Sequence, residues 1–223
     1  MKKTLFIQAI AKYLFGMLLV ALLLFLPAGT LRWPRGWLFM GILFVPMLGA
    51  GVVMMLKNPD LLRRRLNARE RELDQKQNIA LSGGMFIAGF ILAGLDFRFG
   101  WLQLPAWASV CAALFFLLGY ALFGEVLREN EYLSRTVEVT AGQRVIDTGL
   151  YGVVRHPMYA ATVIMFLMMP LALGSLIALV PFLAYPALIA RRIHGEEAVL
   201  ERELPHYSDY ERRVKYRLLP HVW

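Results

Sequence analysis

A single cysteine in 223 residues excludes an intrachain disulfide and any cysteine-built metal site. Cys111 lies within Ala-Ser-Val-Cys-Ala-Ala-Leu and reads as a small buried apolar residue. The four histidines, 156, 194, 206 and 221, lack HExxH or another ligand spacing, so no metal is expected. There is no P-loop, no GxGxxG after a strand and no Ser-His-Asp signature, which excludes the recognised soluble nucleotide folds and triad hydrolases. Repeats and low-complexity segments are absent, and no two glycines stand at GxxxG spacing. A glycine-driven dimer therefore has no support, and the oligomeric state stays open. The net charge of +8 comes from basic residues scattered between apolar runs rather than gathered in a tract, so nucleic acid is not an expected partner.

What the chain has in abundance is apolar sequence. A hydrophobic share of 58% and a mean hydropathy of +0.53 place it among polytopic membrane proteins. Runs long enough to cross a hydrocarbon core as helices, about 20 residues, extend over 5–26, 37–56, 79–95 and 105–124. The first carries Lys12 and leads into further spans, so it reads as a retained helix and not a cleaved signal. The apolar stretch 158–190 is too long for one span. With Pro170 and Gly174-Ser175 near its middle, it predicts a helical hairpin of two short or tilted arms. The expected fold is an all-α polytopic membrane protein, four spans plus that hairpin, followed by a cytoplasmic C-terminal helical region.

Basic residues set the orientation. With the N-terminus inside, only Arg32, Arg35 and Arg98 lie outside. Lys2, Lys3, the seven basic residues from Lys57 to Lys76 and the eleven from Arg128 to Arg217 lie inside. Both termini are thus expected in the cytoplasm. The loop 57–78, with leucines at 61, 62, 66 and 73, suits an amphipathic interfacial helix or a solvated connector. Thr136-Val-Glu-Val-Thr alternates like a short strand, and the surrounding chain is expected to be an ordered loop. Charged helices are expected after Ala190 and from Pro205, the second offering Tyr207, Tyr210 and Val214 as a packing face together with Leu200 and Leu204.

Three polar clusters converge on the inner face: 143–151, 155–159 and 191–197. A hairpin from 158 to 190 returns the chain to its starting surface, which sets His156 beside Glu196 across forty residues. Glu196 and Glu197 can accept hydrogen bonds from an ammonium or ribose. Tyr151 and Tyr159 can stack on a purine, and Arg155 or His156 can donate to a carboxylate. These are the needs of a zwitterionic nucleoside. Arg155, His156 and Tyr159 equally suit a plainer role as anchors at the membrane surface.

The order Gly149-Leu-Tyr-Gly-Val-Val-Arg-His-Pro-Met-Tyr159, hydrophobic hairpin, Glu196-Glu-Ala-Val-Leu200, Tyr207-Ser-Asp-Tyr-Glu-Arg-Arg-Val214 resembles the isoprenylcysteine carboxyl methyltransferase family and its phospholipid-methyltransferase relatives. The resemblance covers roughly residues 130–220. It implies a single integral membrane domain, with N-terminal helices in 1–124 and a catalytic core in 125–223, that uses S-adenosylmethionine. By position, it implies cofactor contacts at Gln143, Arg144, Val145, Ile146, Tyr151, His156, Pro157, Met158, Tyr159, Glu196 and Glu197. Arg192 or Arg191 would face the acceptor carboxylate, making Arg192 and Glu196 the catalytic pair. The implied acceptor is a prenylated or otherwise lipid-like small molecule drawn from the membrane. A lipid amine or thiol acceptor, a sterol-reductase-like enzyme with a dinucleotide, and a non-enzymatic scaffold are the competing readings.

Overall fold

The computed structural model describes residues 2–66, 73–134, 139–140 and 142–223. Helices α1 (Lys2–Ala28), α2 (Pro34–Lys57), α4 (Leu73–Phe99) and α5 (Ala106–Glu129) are each long and apolar enough to cross a membrane. Short α3 (Pro59–Leu66) joins α2 to α4. After α5 come a 3-10 turn at Gly149–Gly152, then α6 (Pro157–Ala172), α7 (Leu179–Phe182), α8 (Tyr185–Glu203) and α9 (Tyr207–Arg213). No strand occurs among the described residues. The protein is an all-helical integral membrane protein, with four spans and a hairpin. Part of the expected strand, residues 136–138, lies outside the described residues.

The surface is turned inside out relative to a soluble domain. Leu26 and Trp107 are 75% and 70% exposed on spanning helices, where lipid is their natural solvent. Cys111 is also exposed, on α5, and not buried as expected. In a span, lipid-facing and packed positions are equally apolar, so periodicity could not place it. The packed interior is aromatic. Phe39 of α2 meets Phe90 of α4 and Phe116 of α5, and Phe90 meets Phe182 of α7. Between apolar helices such contacts hold by dispersion and shape, lipid being no worse a solvent for them than protein.

Two local devices position the site. Pro46 lies within α2 and, having no N–H, leaves the Ile42 carbonyl without its helix partner. On the next two carbonyls, Tyr120 donates to Leu43 O at 2.8 Å and Tyr13 to Phe44 O at 3.1 Å, giving the two hydroxyls acceptors that hydrocarbon cannot supply. Gly119 lets α5 lie against α6, the most extensive helix pair, because a Cβ there would come within 2.5 Å of Met165. Glycine close approach is therefore used within the chain, without a GxxxG repeat.

α6 is short, about 24 Å at 1.5 Å per residue, yet its far end is not left in hydrocarbon. Gly174, at φ 84, turns the chain. The apex then pairs with the α4–α5 connection, Leu104 N–H donating to Gly174 O and Leu176 N–H to Leu102 O. The return arm is broken at 175–184 and resumes as α8, which runs without interruption through Ala190. The charged helix expected to start after Ala190 is thus the end of the hairpin's own return helix. α9 begins at Tyr207, two residues beyond Pro205, after His206 in the left-handed region at φ 66.

Candidate functional site

Continuity of α8 gives the site its register. Residues 185, 188, 189, 192, 196 and 200 recur at spacings of three and four, the period of one helix face. On it stand Arg192, Glu196 and Leu200, while Ile193 and Glu197 turn to the buried side. Opposite, Pro157 opens α6, a position where the missing N–H costs nothing. The helix therefore starts directly after Arg155 and His156.

Glu197 is the centre of a buried ion network. Arg155 Nε donates to its Oε1 at 2.8 Å, His156 Nε2 donates to the same oxygen at 3.1 Å, and Arg217 Nε donates to Oε2 at 2.7 Å. Arg155 also donates to the Val214 carbonyl at 3.0 Å, and the backbone N–H groups of 155 and 156 donate to Tyr216 O and Arg217 O. The segment 214–217 is thereby sewn beneath the start of α6. Burial works against the Glu197 charge, but the bonds from His156, Arg217 and Arg155 outweigh it and hold the carboxyl down at about 2.

Glu196, one residue away, does something different. It accepts from Tyr159 Oη at 2.5 Å, and Tyr159 Oη in turn accepts from Arg192 Nε at 2.8 Å. The His156 ring lies near-parallel to Tyr159, centroids 5.7 Å apart. Two cavities meet at this row. The polar one, about 100 Å³, is walled by Asn130, Tyr132–Ser134, Gln143–Ile146, Tyr151, the turn at Arg155 and His156 with Met158 and Tyr159, α8 and α9. The apolar one, about 1300 Å³, lies among α1 to α6 and α8. Ser134, Met158, Tyr159 and Arg192 line both.

The polar cavity has groups suited to a nucleoside. Tyr151 is fixed from two directions, Asn130 Nδ2 donating to its hydroxyl at 2.9 Å and Tyr210 Oη to its carbonyl at 2.8 Å. Gln143 closes a turn by accepting from Thr140 N–H at 3.0 Å. Tyr207 lines the cavity with a buried hydroxyl that has no partner among the described residues. Burial, reinforced by Glu197 and Glu196, pushes its phenol up, so it stays protonated and able to donate.

Gln143, Arg144, Val145, Ile146, Tyr151, His156, Met158, Tyr159, Glu196 and Arg192 all line the polar cavity. Three expected residues do not. Pro157 serves as the first residue of α6, Glu197 is consumed by the buried network, and Arg191 turns outward to donate to Gln77 Oε1 at 3.0 Å. The reason is helix phase: neighbours on α8 differ by about 100°, so one of each pair faces away. Arg155 and His156 are buried and paired, not reaching for headgroups. Asn130, Tyr132 and Ser134 also line the cavity; their only sequence signal was the polar shift at the end of α5. Tyr207 and Tyr210, expected to pack, do so against Leu204 and Val214 and line the cavity as well.

Residues 106–202 match the model of the isoprenylcysteine carboxyl methyltransferase (ICMT) family. The chain is 28% identical over 136 residues to the Delta(14)-sterol reductase TM7SF2 of Mus musculus, a match covering 55% of this chain and 32% of that protein. It thus spans about a third of the curated relative's length. The fold resembles the structure of the eukaryotic intramembrane Ras methyltransferase ICMT, with a TM-score of 0.62 over 96% of this chain and 77% of that one, at 18% identity.

Proposed function

With residues 106–202 belonging to the isoprenylcysteine carboxyl methyltransferase family, we propose that this chain transfers a methyl group from S-adenosylmethionine to an amphipathic, prenylcysteine-like carboxylate at the cytoplasmic membrane surface. The observation that carries this reading is the junction at Tyr159 and Arg192 of a polar cavity with a large apolar one. One suits a nucleoside, the other a lipid tail, and they touch where a transfer would occur.

Gln143–Ile146, Tyr151, Tyr159, Glu196 and Tyr207 would hold the cofactor, Glu196 facing its positive charge. When bound, S-adenosylmethionine supplies an electrophilic methyl group and departs as a neutral thioether. An acceptor carboxylate is already ionised at neutral pH, so the protein needs no strong base. Its work is alignment: Arg192 holds the carboxylate, Tyr159 and Glu196 hold Arg192, and the apolar walls exclude the water that would blunt the nucleophile.

Charge favours a carboxylate over an amine acceptor. Among the described residues, Lys12, Arg65 and Arg192 line the apolar cavity and no carboxylate does. An ammonium head would meet cations and no carboxylate on that lining. The distribution of basic residues supports cytoplasmic termini. A second reading, a reductase using a dinucleotide, is favoured by the sterol-reductase similarity. Calorimetric titration with S-adenosylhomocysteine and with NADPH separates the two. Purified protein incubated with methyl-labelled S-adenosylmethionine and a panel of prenylcysteines, phospholipids and thiols should label the prenylcysteine acid. Absence of both transfer and S-adenosylhomocysteine binding would sink the proposal.

A further inference from the structure

Tyr151 and Tyr207 both line the polar cavity, and each carries a hydroxyl proton that no described residue accepts. The Tyr207 hydroxyl has no partner among those residues, while that of Tyr151 meets Asn130 Nδ2 at 2.9 Å. Where the Tyr151 proton points is decided at the end of α5.

Asn130 follows the last turn of α5, its N–H donating to Val126 O at 3.0 Å. Its side-chain amide is oriented by a second contact. The Tyr132 backbone N–H lies 3.0 Å from Oδ1 and can only donate, so the oxygen faces it and Nδ2 is left to donate to Tyr151. A phenolic O–H prefers the ring plane, where it has two settings. The Asn130 N–H occupies one side of the oxygen, so the proton takes the other. Burial pushes the Tyr151 phenol up, and that proton is kept through the neutral range. The backbone beneath is fixed as well. Tyr151 N–H donates to Thr148 O at 3.0 Å, Thr148 Oγ1 donates to Glu129 beside Asn130, and Tyr210 Oη donates to the Tyr151 carbonyl at 2.8 Å.

We propose that Asn130 is a positioning residue that commits the Tyr151 hydroxyl to donate to an acceptor atom of the nucleoside, so that Tyr151 recognises its ligand by a hydrogen bond and not by stacking alone. The assignment rests on the reading of the polar cavity as a nucleoside site. It gives that wall of the cavity a sign. A ligand group that can only donate meets another donor there, whereas a purine nitrogen or a ribose oxygen with a free lone pair meets its complement. Asn130→Asp would reverse the sign, because both carboxylate oxygens accept. One keeps the Tyr132 N–H, and the other draws the Tyr151 proton away from the cavity.

The test is a double-mutant cycle read by calorimetric titration with S-adenosylhomocysteine and, in parallel, with NADPH. Tyr151→Phe should weaken binding about tenfold, the effect of one lost buried hydrogen bond. Asn130→Asp should weaken it as much, with the melting temperature in detergent nearly unchanged. In a Tyr151→Phe background, Asn130→Asp should cost only about twofold, the remote effect of its added charge, since the proton that Asn130 aims is already gone. Deaza forms of S-adenosylhomocysteine, each lacking one ring nitrogen, locate the acceptor. Indifference of one of them to Tyr151→Phe marks that nitrogen, and sensitivity of all of them marks an oxygen. Binding unchanged by Tyr151→Phe overturns the assignment. So does an Asn130→Asp loss of equal size in both backgrounds, because an amide that serves only the fold costs the same with or without the hydroxyl. Tyr151→Phe leaves Asn130 in place and decides alone should Asn130→Asp fail to fold. S-adenosylhomocysteine bound without sensitivity at Tyr151 keeps the methyl-transfer reading and removes this assignment. NADPH bound alone, and weakened by Tyr151→Phe, does the reverse, and binding of neither removes both.

Discussion

The polar cavity takes its walls from irregular chain, a helix start and one face of α8, and its side chains are held by charge and hydrogen bonds. The apolar cavity takes its walls from the sides of seven helices, packed mainly by shape. Yet Tyr159 and Arg192 serve both. The difference teaches where precision comes from. On the polar side Glu197 fixes the floor through three partners, so geometry is set by directional bonds. On the apolar side a void persists because nothing in lipid drives helices to close it. A site built this way can hold one ligand in a defined pose and still admit a range of tails.

Removing the floor should have the largest effect. Glu197→Ala leaves the Arg155 and Arg217 guanidinium groups without their buried carboxylate, a loss of about 3–5 kcal/mol. It should appear in thermal unfolding in detergent as a large fall in melting temperature, with loss of S-adenosylhomocysteine binding. The same network sets an acid limit. Glu197 is held at about 2 against an ordinary 4.5, so the unfolded chain takes up the proton first as pH falls. The stabilisation is complete above about 4.5 and should drain away as pH drops toward 2. A Glu197→Gln protein should show a flatter melting profile across that window, and an unchanged profile would refute the network's role.

At the junction, Arg192→Ala should reduce kcat/KM for a prenylcysteine acid by about 100- to 1000-fold, the range for losing one charge-stabilising donor at a reacting centre. Arg192→Lys should recover only part, for want of the planar fork. Arg191→Ala should change transfer far less, and an equal loss at both positions would mean that helix phase does not assign the role. On the cofactor side alone, Glu196→Gln should weaken S-adenosylhomocysteine binding about tenfold in calorimetry, as expected for losing a charged hydrogen-bond acceptor. Smallest is a change on the lipid side. Gly124 lines the apolar cavity with open space where a Cβ would stand. Gly124→Leu should raise KM for a long-tailed acceptor a few-fold and leave cofactor binding untouched. Equal effects on both ligands would show the two cavities to be one.

Much of this was legible from residues alone. The four spans were read to within six residues of their observed ends, and Pro170 with the Gly174 turn marked the hairpin. Ten of the residues matched to the family motif do line the polar cavity. The errors have a common origin. Glu196 and Glu197 are identical in type and adjacent, as are Arg191 and Arg192, so composition cannot separate them. Cys111 failed for a related reason: in hydrocarbon the packed and lipid-facing sides of a helix share one chemistry.

The sequence by itself determined that the chain crosses a membrane and returns its polar clusters to one face, because uncompensated backbone is intolerable in lipid and only long apolar helices avoid it. Tertiary structure alone decided which carboxylate is spent on the fold and which faces the polar cavity, and which arginine stands at the junction. Those assignments depend on the rotation of α8 and on segment 214–217 docking beneath α6. Bonds between groups forty to sixty residues apart leave no period in the sequence from which to read them.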